Sequence, residues 1–416
     1  MYKKKHIAVL STLYYPDMGA PSACVDKYVR ALKDEYQFHI ITRTDCTAFE
    51  PSREYDVRYI SSFRHRLKLK CEDGIKRGKN SQLCKLILAF INLCKLVQTQ
   101  FSFPSAQRWE VNQYAKQLEL LHNEVGIDVV ISVSNTVFTQ LATLRFKRNH
   151  PTVKWMAFFY DPYSEHYIYY KYKFFKSLWK YLNRKKEQEI YNNADAVLLS
   201  SELYKFVPKN FTISRDKCFP LLYPLQQLCP NGSNVVKVKG LASVCKLVFA
   251  GMFYKKIRNP EFALSTISQI QNVQFDIFVG TGECEDIIER YNKKNIHREQ
   301  FLNRERYVEM ICNECDVLVN IGNISTLQAP SKMLELLSTG KPILNFYFNK
   351  DAQYEMIEKY PLGLNVGYNE VGAVKKVERF CWEMKGQSIP FEEVEQLFPD
   401  NKFETQVELL RMLIEL

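Results

Sequence analysis

The chain has no long unbroken apolar run. Its most hydrophobic stretch, residues 83–97, is interrupted by Lys85, Asn92 and Lys95 and falls short of the roughly 20 residues that a membrane-crossing helix needs. No Asp-x-Asp pair occurs, so no acidic pair of that kind is offered to a divalent cation. Cys312 and Cys315 form the only Cys-x-x-Cys, and without a second pair at zinc spacing they do not read as a metal site. They sit in a helical pattern with Tyr307, Val308 and Ile311, which predicts core packing rather than metal or redox work. A secretory leader is not expected, because residues 2–6 run directly into an apolar strand at 7–10. Twelve cysteines without a leader predict reduced thiols in a cytoplasm rather than a disulfide framework.

What is present suits a globular protein of two domains. The 416 residues are 46% apolar and 25% charged, too long for one ordinary α/β domain and right for two of about 200 residues each. A formal charge of +11 favours anionic partners, with nucleotide, nucleic acid and acidic lipid all compatible. No recognised nucleic-acid module accompanies the charge, so no nucleic-acid partner is expected.

Residues 316–346, DVLVNIGNISTLQAPSKMLELLSTGKPILNF, organise the rest. A β-branched run at 316–321 ends at Gly322, Asn323 and Ser325, the pattern of a buried strand feeding a polar loop. Pro330 and Ser331 open a helix, Gly340 supplies its left-handed stop, and Pro342 prevents its continuation before a strand at 343–346. This is a βαβ unit, and open α/β sheets bind ligands in the loop at the strand's carboxyl end. The helix start favours an anion. Lys332 places a full positive charge there, where the helix dipole alone disfavours one. Glu335, three residues on, shares its face. One can meet a diphosphate while the other accepts hydrogen bonds from ribose hydroxyls; a solvated surface Lys–Glu pair is the plainer alternative.

Upstream, a strand at 7–10 is followed by a loop with Gly19, Ala20 and Pro21, then a helix carrying Val25, Tyr28, Val29 and Leu32, and a strand at 38–41. Gly19 and Ser22 at that helix start could face a phosphate or a sugar. Buried strands are predicted at 127–135 and 153–163, with Asp161 just past the latter's apolar run; a turn or cap before Pro162 is its plain reading. A helix at 185–195 leads into 196–199 as the last strand of the half. Residues 208–240 lose all periodicity and hold the domain crossover. A second strand-and-loop unit starts at 246–251, and the strand at 275–279 meets Gly280 and Gly282, where backbone can approach a ligand closely. Asn303 starts the next helix.

These segments resemble the GT-B glycosyltransferases, the large retaining group that contains many bacterial capsule and lipopolysaccharide enzymes. Glu335 followed by Gly340, Lys341 and Pro342 matches the second glutamate of that group's paired-glutamate motif. Leu327 stands where the first would be, and Gln328 to Lys332 resemble a branch with a Pro-Ser-Lys turn. Tyr15, Pro16, Gly19 and Ala20 match the opening loop. Asp161 matches a segment reaching toward donor sugar and acceptor, with Tyr160 in place of a frequent histidine. Gly251 and Arg258 match the first phosphate loop, Arg258 as the basic diphosphate ligand, with Met252 in place of a second arginine that Lys255 or Lys256 could replace.

The resemblance covers nearly the whole chain and is strongest at 246–346. It implies an α/β protein with two Rossmann-like doubly wound domains facing a cleft. The expected domains are 1–210 on the acceptor side, 211–398 binding the nucleotide sugar, and a helix at 399–416 packing back across the junction. The implied reaction moves a sugar from a UDP- or GDP-linked donor to a hydroxyl, retaining and metal-free, in surface polysaccharide synthesis. The expected catalytic residues are Asp161, Arg258 and Lys332. The expected donor residues are Gly19, Gly251, Arg258, Gly280, Gly282, Pro330, Ser331, Lys332 and Glu335, with no metal ligands and no cofactor. A nucleotide-sugar epimerase and a catalytically silent partner subunit are the alternatives.

Two basic, apolar segments extend this to a lipid-linked glycan acceptor and an anionic membrane surface, with the protein cytoplasmic and peripheral on the inner face. Residues 64–79 hold seven lysines and arginines against two acids, next to the apolar helix at 83–97. Residues 163–186 interleave Tyr167, Tyr169, Tyr170, Tyr172, Phe174, Phe175, Trp179 and Tyr181 with Lys171, Lys173, Lys176, Lys180, Arg184, Lys185 and Lys186.

Overall fold

Runs of β-branched and aromatic residues that are buried on both faces belong in parallel sheets covered by helices, and this chain builds two of them. The structure is a computed structural model that describes residues 4–14, 18–43, 55–61, 63–101, 103, 108–134, 136–166, 170, 173–229, 244–292, 295–325, 327 and 331–416. It divides into two compact units, Met1–Leu222 with Val407–Leu416, and Tyr223–Gln406.

The first unit runs β1 (His6–Leu13), α1 (Ala20–Leu32), β2 (Gln37–Arg43), β3 (Asp56–Ile60), α2 (Phe63–Lys76), α3 (Ser81–Phe101), α4 (Arg108–Val125), β4 (Val129–Ser134), α5 (Phe138–Asn149), β5 (Lys154–Phe159), α6 (Lys176–Asn193), β6 (Ala196–Leu199), α7 (Ser201–Asn210) and β7 (Cys218–Pro220). Its strands are ordered β3-β2-β1-β4-β5-β6-β7, and every described pairing is parallel. Residues 196–199 are therefore not the last strand of this half, contrary to the sequence reading. β7, short and containing Pro220, pairs beyond them through Val197, Leu198 and Leu199. Trp155 anchors the core, wholly buried, with its indole N–H donated to Ser132 Oγ at 2.8 Å; truncating such a side chain to alanine costs about 3–5 kcal/mol.

The second unit runs β8 (Cys245–Gly251), α8 (Glu261–Ile267), β9 (Val273–Val279), α9 (Glu285–Tyr291), β10 (Ile296–Glu299), α10 (Arg304–Asn313), β11 (Val317–Ile321), α11 (Ser331–Leu337), β12 (Ile343–Tyr347), α12 (Ala352–Lys359), β13 (Gly363–Gly367), α13 (Ala373–Met384) and α14 (Phe391–Leu397). The order is β10-β9-β8-β11-β12-β13, again parallel throughout. α15 (Phe403–Glu415) follows, and from Val407 it belongs to the first unit. There Lys5 Nζ meets Glu415 at 2.8 Å and Arg411 meets Glu35 at 2.8 Å.

Asn303 caps α10 by accepting from the Arg306 N–H at 2.9 Å, as the sequence suggests. Gly340 takes φ +68°, and a Cβ there would stand 2.0 Å from the Ile389 carbonyl oxygen, so both conformation and space demand glycine.

The cysteine expectation needs one correction. Nine described cysteines are free thiols, but Cys312 is disulfide-bonded to Cys229, 83 residues away, with Cα atoms 5.6 Å apart. Cys315 remains a buried thiol. The segment containing Leu225, Leu228 and Cys229 packs on Met310 and Ile311 of α10, a long-range contact that local spacing cannot announce.

Candidate functional site

In both sheets the strand order reverses beside the first strand of the unit, between β1 and β4 and between β8 and β11. Such switch points leave crevices at the carboxyl ends of the strands. In the second unit β8 and β11 pair only at Val317–Leu247 and Leu318–Val248. Beyond that register their ends line a recess, together with Arg258, Tyr307 and Lys332.

Lys332, in the first turn of α11, is largely buried, and its Nζ donates to the Ala250 carbonyl. Burial brings its ammonium down to about 8. Its hydrogen-bond partner is backbone rather than the Glu335 carboxylate, although the charge of Glu335 still acts on it. Gly251 lies against this ammonium: a Cβ on it would come within 3.4 Å of Lys332 Nζ. Arg258 is the second cation. Its Nε donates to Asn323 Oδ1 at 3.2 Å, and burial lowers the guanidinium from its ordinary value. The loop carrying it is a tight ribbon in which Tyr254 and Arg258 exchange both backbone hydrogen bonds, at 3.1 and 2.8 Å. Lys255 is paired with Asp286 at 2.8 Å, so it is engaged outside the recess.

Glu335 does not meet Lys332. Its carboxylate accepts from Arg304 and from the Tyr307 hydroxyl at 3.3 Å. Tyr307 joins the charges, with the Lys332 Nζ 5.4 Å and the Arg304 guanidinium carbon 5.7 Å from its ring centroid. Arg304 was not evident in the sequence, because α10 reaches α11 only through the fold. Behind the recess, Asn320, Asn345 and Asn365 occupy aligned positions on β11, β12 and β13. Asn320 donates to Asn345 at 2.8 Å and Asn345 to Asn365 at 2.7 Å, a buried amide ladder that fixes the strand ends.

Gly280 and Gly282 follow β9, next to the β8 loop. A Cβ on Gly280 would approach Met252 Sδ to 3.1 Å, so this glycine makes room for Met252. The Gly282 N–H is donated to Glu285 at 2.8 Å and is therefore satisfied within the protein. Pro330, Gln328 and Ala329 lie outside the described residues, as does the side chain of Ser331.

Gly19 and Asp161 belong to the first unit. Gly19 is the extended N-cap of α1; Tyr15 and Pro16 lie outside the described residues. Ser22 corrects the reading: it is buried, with its hydroxyl on Ser11 Oγ at 2.6 Å, so it is turned into the protein rather than toward solvent. Asp161 follows β5. Protein surrounds its carboxyl on most sides and pushes it up to about 6, while some solvent access remains. At the end of adjacent β4, Ser134 Oγ is buried without a hydrogen-bond partner among the described residues. One unit thus holds two partly buried cations beside a tethered carboxylate, which suits a diphosphate. The other holds a carboxyl poised to titrate near neutrality.

With two such units the chain has the fold of the GT-B glycosyltransferases. It matches no protein-family model and no curated protein sequence. It resembles the solved sucrose-phosphate synthase of Thermosynechococcus elongatus at TM-score 0.67 and 13% identity, over 99% of this chain and 98% of that one. Anabaena HepE in complex with UDP and glucose matches at TM-score 0.64 and 11% identity, over 99% of both chains. A UDP-N-acetylglucosamine 2-epimerase matches less well, at TM-score 0.52 and 13% identity, over 99% of this chain and 96% of that one.

Proposed function

We propose that this protein transfers a sugar from a UDP- or GDP-linked donor to an acceptor hydroxyl, with retention and without a metal ion. The observation that carries the reading is the pair of partly buried cations, Lys332 and Arg258, lining one recess. As the bond between sugar and diphosphate breaks, negative charge gathers on the leaving group. Fixed cations in a recess that is partly shielded from solvent stabilise that charge without having to reorganise. Glu335, oriented by Arg304 and Tyr307, accepts hydrogen bonds from the ribose. Asp161, ionised above about pH 6, serves the sugar and acceptor side. The binding of UDP and glucose by a protein of the same fold supports this choice of donor.

The acceptor in this reading is a lipid-linked glycan of surface polysaccharide synthesis (capsule, O-antigen or exopolysaccharide), met at the inner face of the plasma membrane. Among the described residues no helix is long and apolar enough to cross a membrane. Leu83, Leu86, Phe90, Leu93 and Val97 of α3 are each more than half exposed, and α2 beside it is strongly basic. Phe174 and Phe175 are more exposed still. An apolar stripe beside like-signed charge fits an anionic lipid surface better than a second copy of the same basic chain. The aromatic segment is not uniform, however. Tyr170 is buried and donates to the Ser164 carbonyl at 2.6 Å, Lys180 pairs with Glu165 at 2.6 Å, and Lys173 sits 3.3 Å from the Trp179 ring centroid. Tyr167, Tyr169, Lys171 and Tyr172 lie outside the described residues.

The test is release of nucleoside diphosphate from UDP-glucose and GDP-mannose in excess EDTA. Turnover that persists supports two cations doing a metal's work; turnover lost to EDTA and restored by magnesium or manganese contradicts it. The epimerase likeness supplies a second reading, marked by conversion of the donor sugar without release of the diphosphate.

A further inference from the structure

We propose that Glu187 is the positioning residue for Asp161, holding the loop that presents it. This rests on the reading of Asp161 as a catalytic group. The Asp161 side chain makes no hydrogen bond or ion pair with a described residue, so the carboxyl is placed by the packing around it and by the backbone that carries it. That backbone is clamped on both sides.

Upstream, Ser200 at the end of β6 donates its N–H to the Phe159 carbonyl at 3.0 Å and its hydroxyl to the Tyr160 carbonyl at 3.2 Å. Downstream, the Glu187 carboxylate on α6 accepts the N–H of Tyr163 at 3.2 Å and the N–H of Ser164 at 3.0 Å. Pro162 fills the remaining position and fixes its own φ. Asp161 is the apex of a short span between two anchors.

Glu187 is itself held. It is almost fully buried and accepts from the Tyr191 hydroxyl at 2.9 Å. One turn earlier on α6, Asn183 accepts from the Tyr163 hydroxyl at 2.9 Å and donates to Tyr170 Oη at 3.1 Å. A carboxylate so deep in the protein is costly unless its lone pairs are filled. Here two adjacent backbone amides of the catalytic loop fill them. A carboxylate can accept from both, whereas an amide side chain would turn an NH2 toward one of them.

Glu187→Gln tests this. In the wild type the Tyr163 and Ser164 amides should be protected from hydrogen exchange, and the substitution should release at least one of them. With UDP-glucose and GDP-mannose as probes, kcat should fall about 10- to 100-fold while KM for the donor stays within twofold, as expected when only the reacting geometry is loosened. A merely structural role would instead lower the folded fraction and leave kcat per donor-binding site unchanged, and that result would overturn the proposal. If Glu187→Gln does not fold, Glu187→Asp keeps the charge but draws it back from the Tyr163 and Ser164 amides and should lower kcat several-fold; unchanged kcat there overturns the proposal equally. Wild-type protein that turns over neither probe sinks the sugar-transfer reading and this inference with it. Turnover by the wild type and by Glu187→Gln alike sinks this inference alone.

Discussion

At the carboxyl edge of the first sheet stands a carboxyl, Asp161, on a loop held by Glu187 and Ser200. At the same edge of the second sheet stand two cations, Lys332 and Arg258, held by the Ala250 carbonyl and the Asn323 amide. Six strands of each sheet share one order, with β7 added at the end of the first, yet the edges carry opposite charge. The fold sets where a ligand can sit, and the side chains at the strand ends set which part of it they take. Burial acts on both edges in the same way, disfavouring the charged form: it pushes the Asp161 carboxyl up and the Lys332 ammonium down. Both therefore titrate close to neutral pH.

The largest expected effect comes from removing charge at the first edge. Asp161→Asn should lower kcat by about 10²- to 10⁴-fold and raise stability at pH 7. The sign follows from its carboxyl, lifted from 3.8 to about 6 in the folded chain. Between those values the folded state holds a proton that the unfolded state releases, so stability falls as pH rises through the window and ionised Asp161 is destabilising at pH 7. Paired rate and thermal-unfolding measurements check this; a variant that is less stable and equally active would erase the contrast between the edges.

At the second edge, Glu335→Ala should cost roughly 1.5–3 kcal/mol of donor affinity through lost charged hydrogen bonds, measured by calorimetry in a folded variant. Unchanged affinity would remove Glu335 from the site. The smallest effect belongs to the surface. The wild type should float with anionic vesicles at low salt, and changing Phe174 and Phe175 to serine should weaken that flotation. Equal flotation by the variant would show that this exposed pair does not contact lipid.

The sheet centres were legible in the sequence and their edges were not. β1, β4, β8, β9, β11 and β12 are interior strands whose apolar runs announce burial on both faces. The four strands the sequence did not reveal, β3, β7, β10 and β13, are the four sheet edges. DVRYI, CFP, IHRE and GLNVG are short or polar, as edge strands tend to be. The site divides in the same way. Lys332 and Glu335 were visible because three residues on one helix is a local relation. Arg304, Tyr307, the asparagine ladder and the Cys229–Cys312 bond depend on elements brought together only by topology. Ser22 misled because a hydroxyl at a helix start reads the same whether it faces a ligand or, as here, Ser11.

The central claim is that the cations of the second edge hold a diphosphate. Its most direct test is calorimetric binding of UDP and GDP at pH 7 and pH 9 without metal. Burial brings the Lys332 ammonium down to about 8, and the phosphates are already mostly ionised at pH 7. Affinity should therefore fall roughly tenfold over that interval, and Lys332→Met should bind weakly with no such fall. Binding that is equally tight at both values, and unaffected by the substitution, would contradict the account.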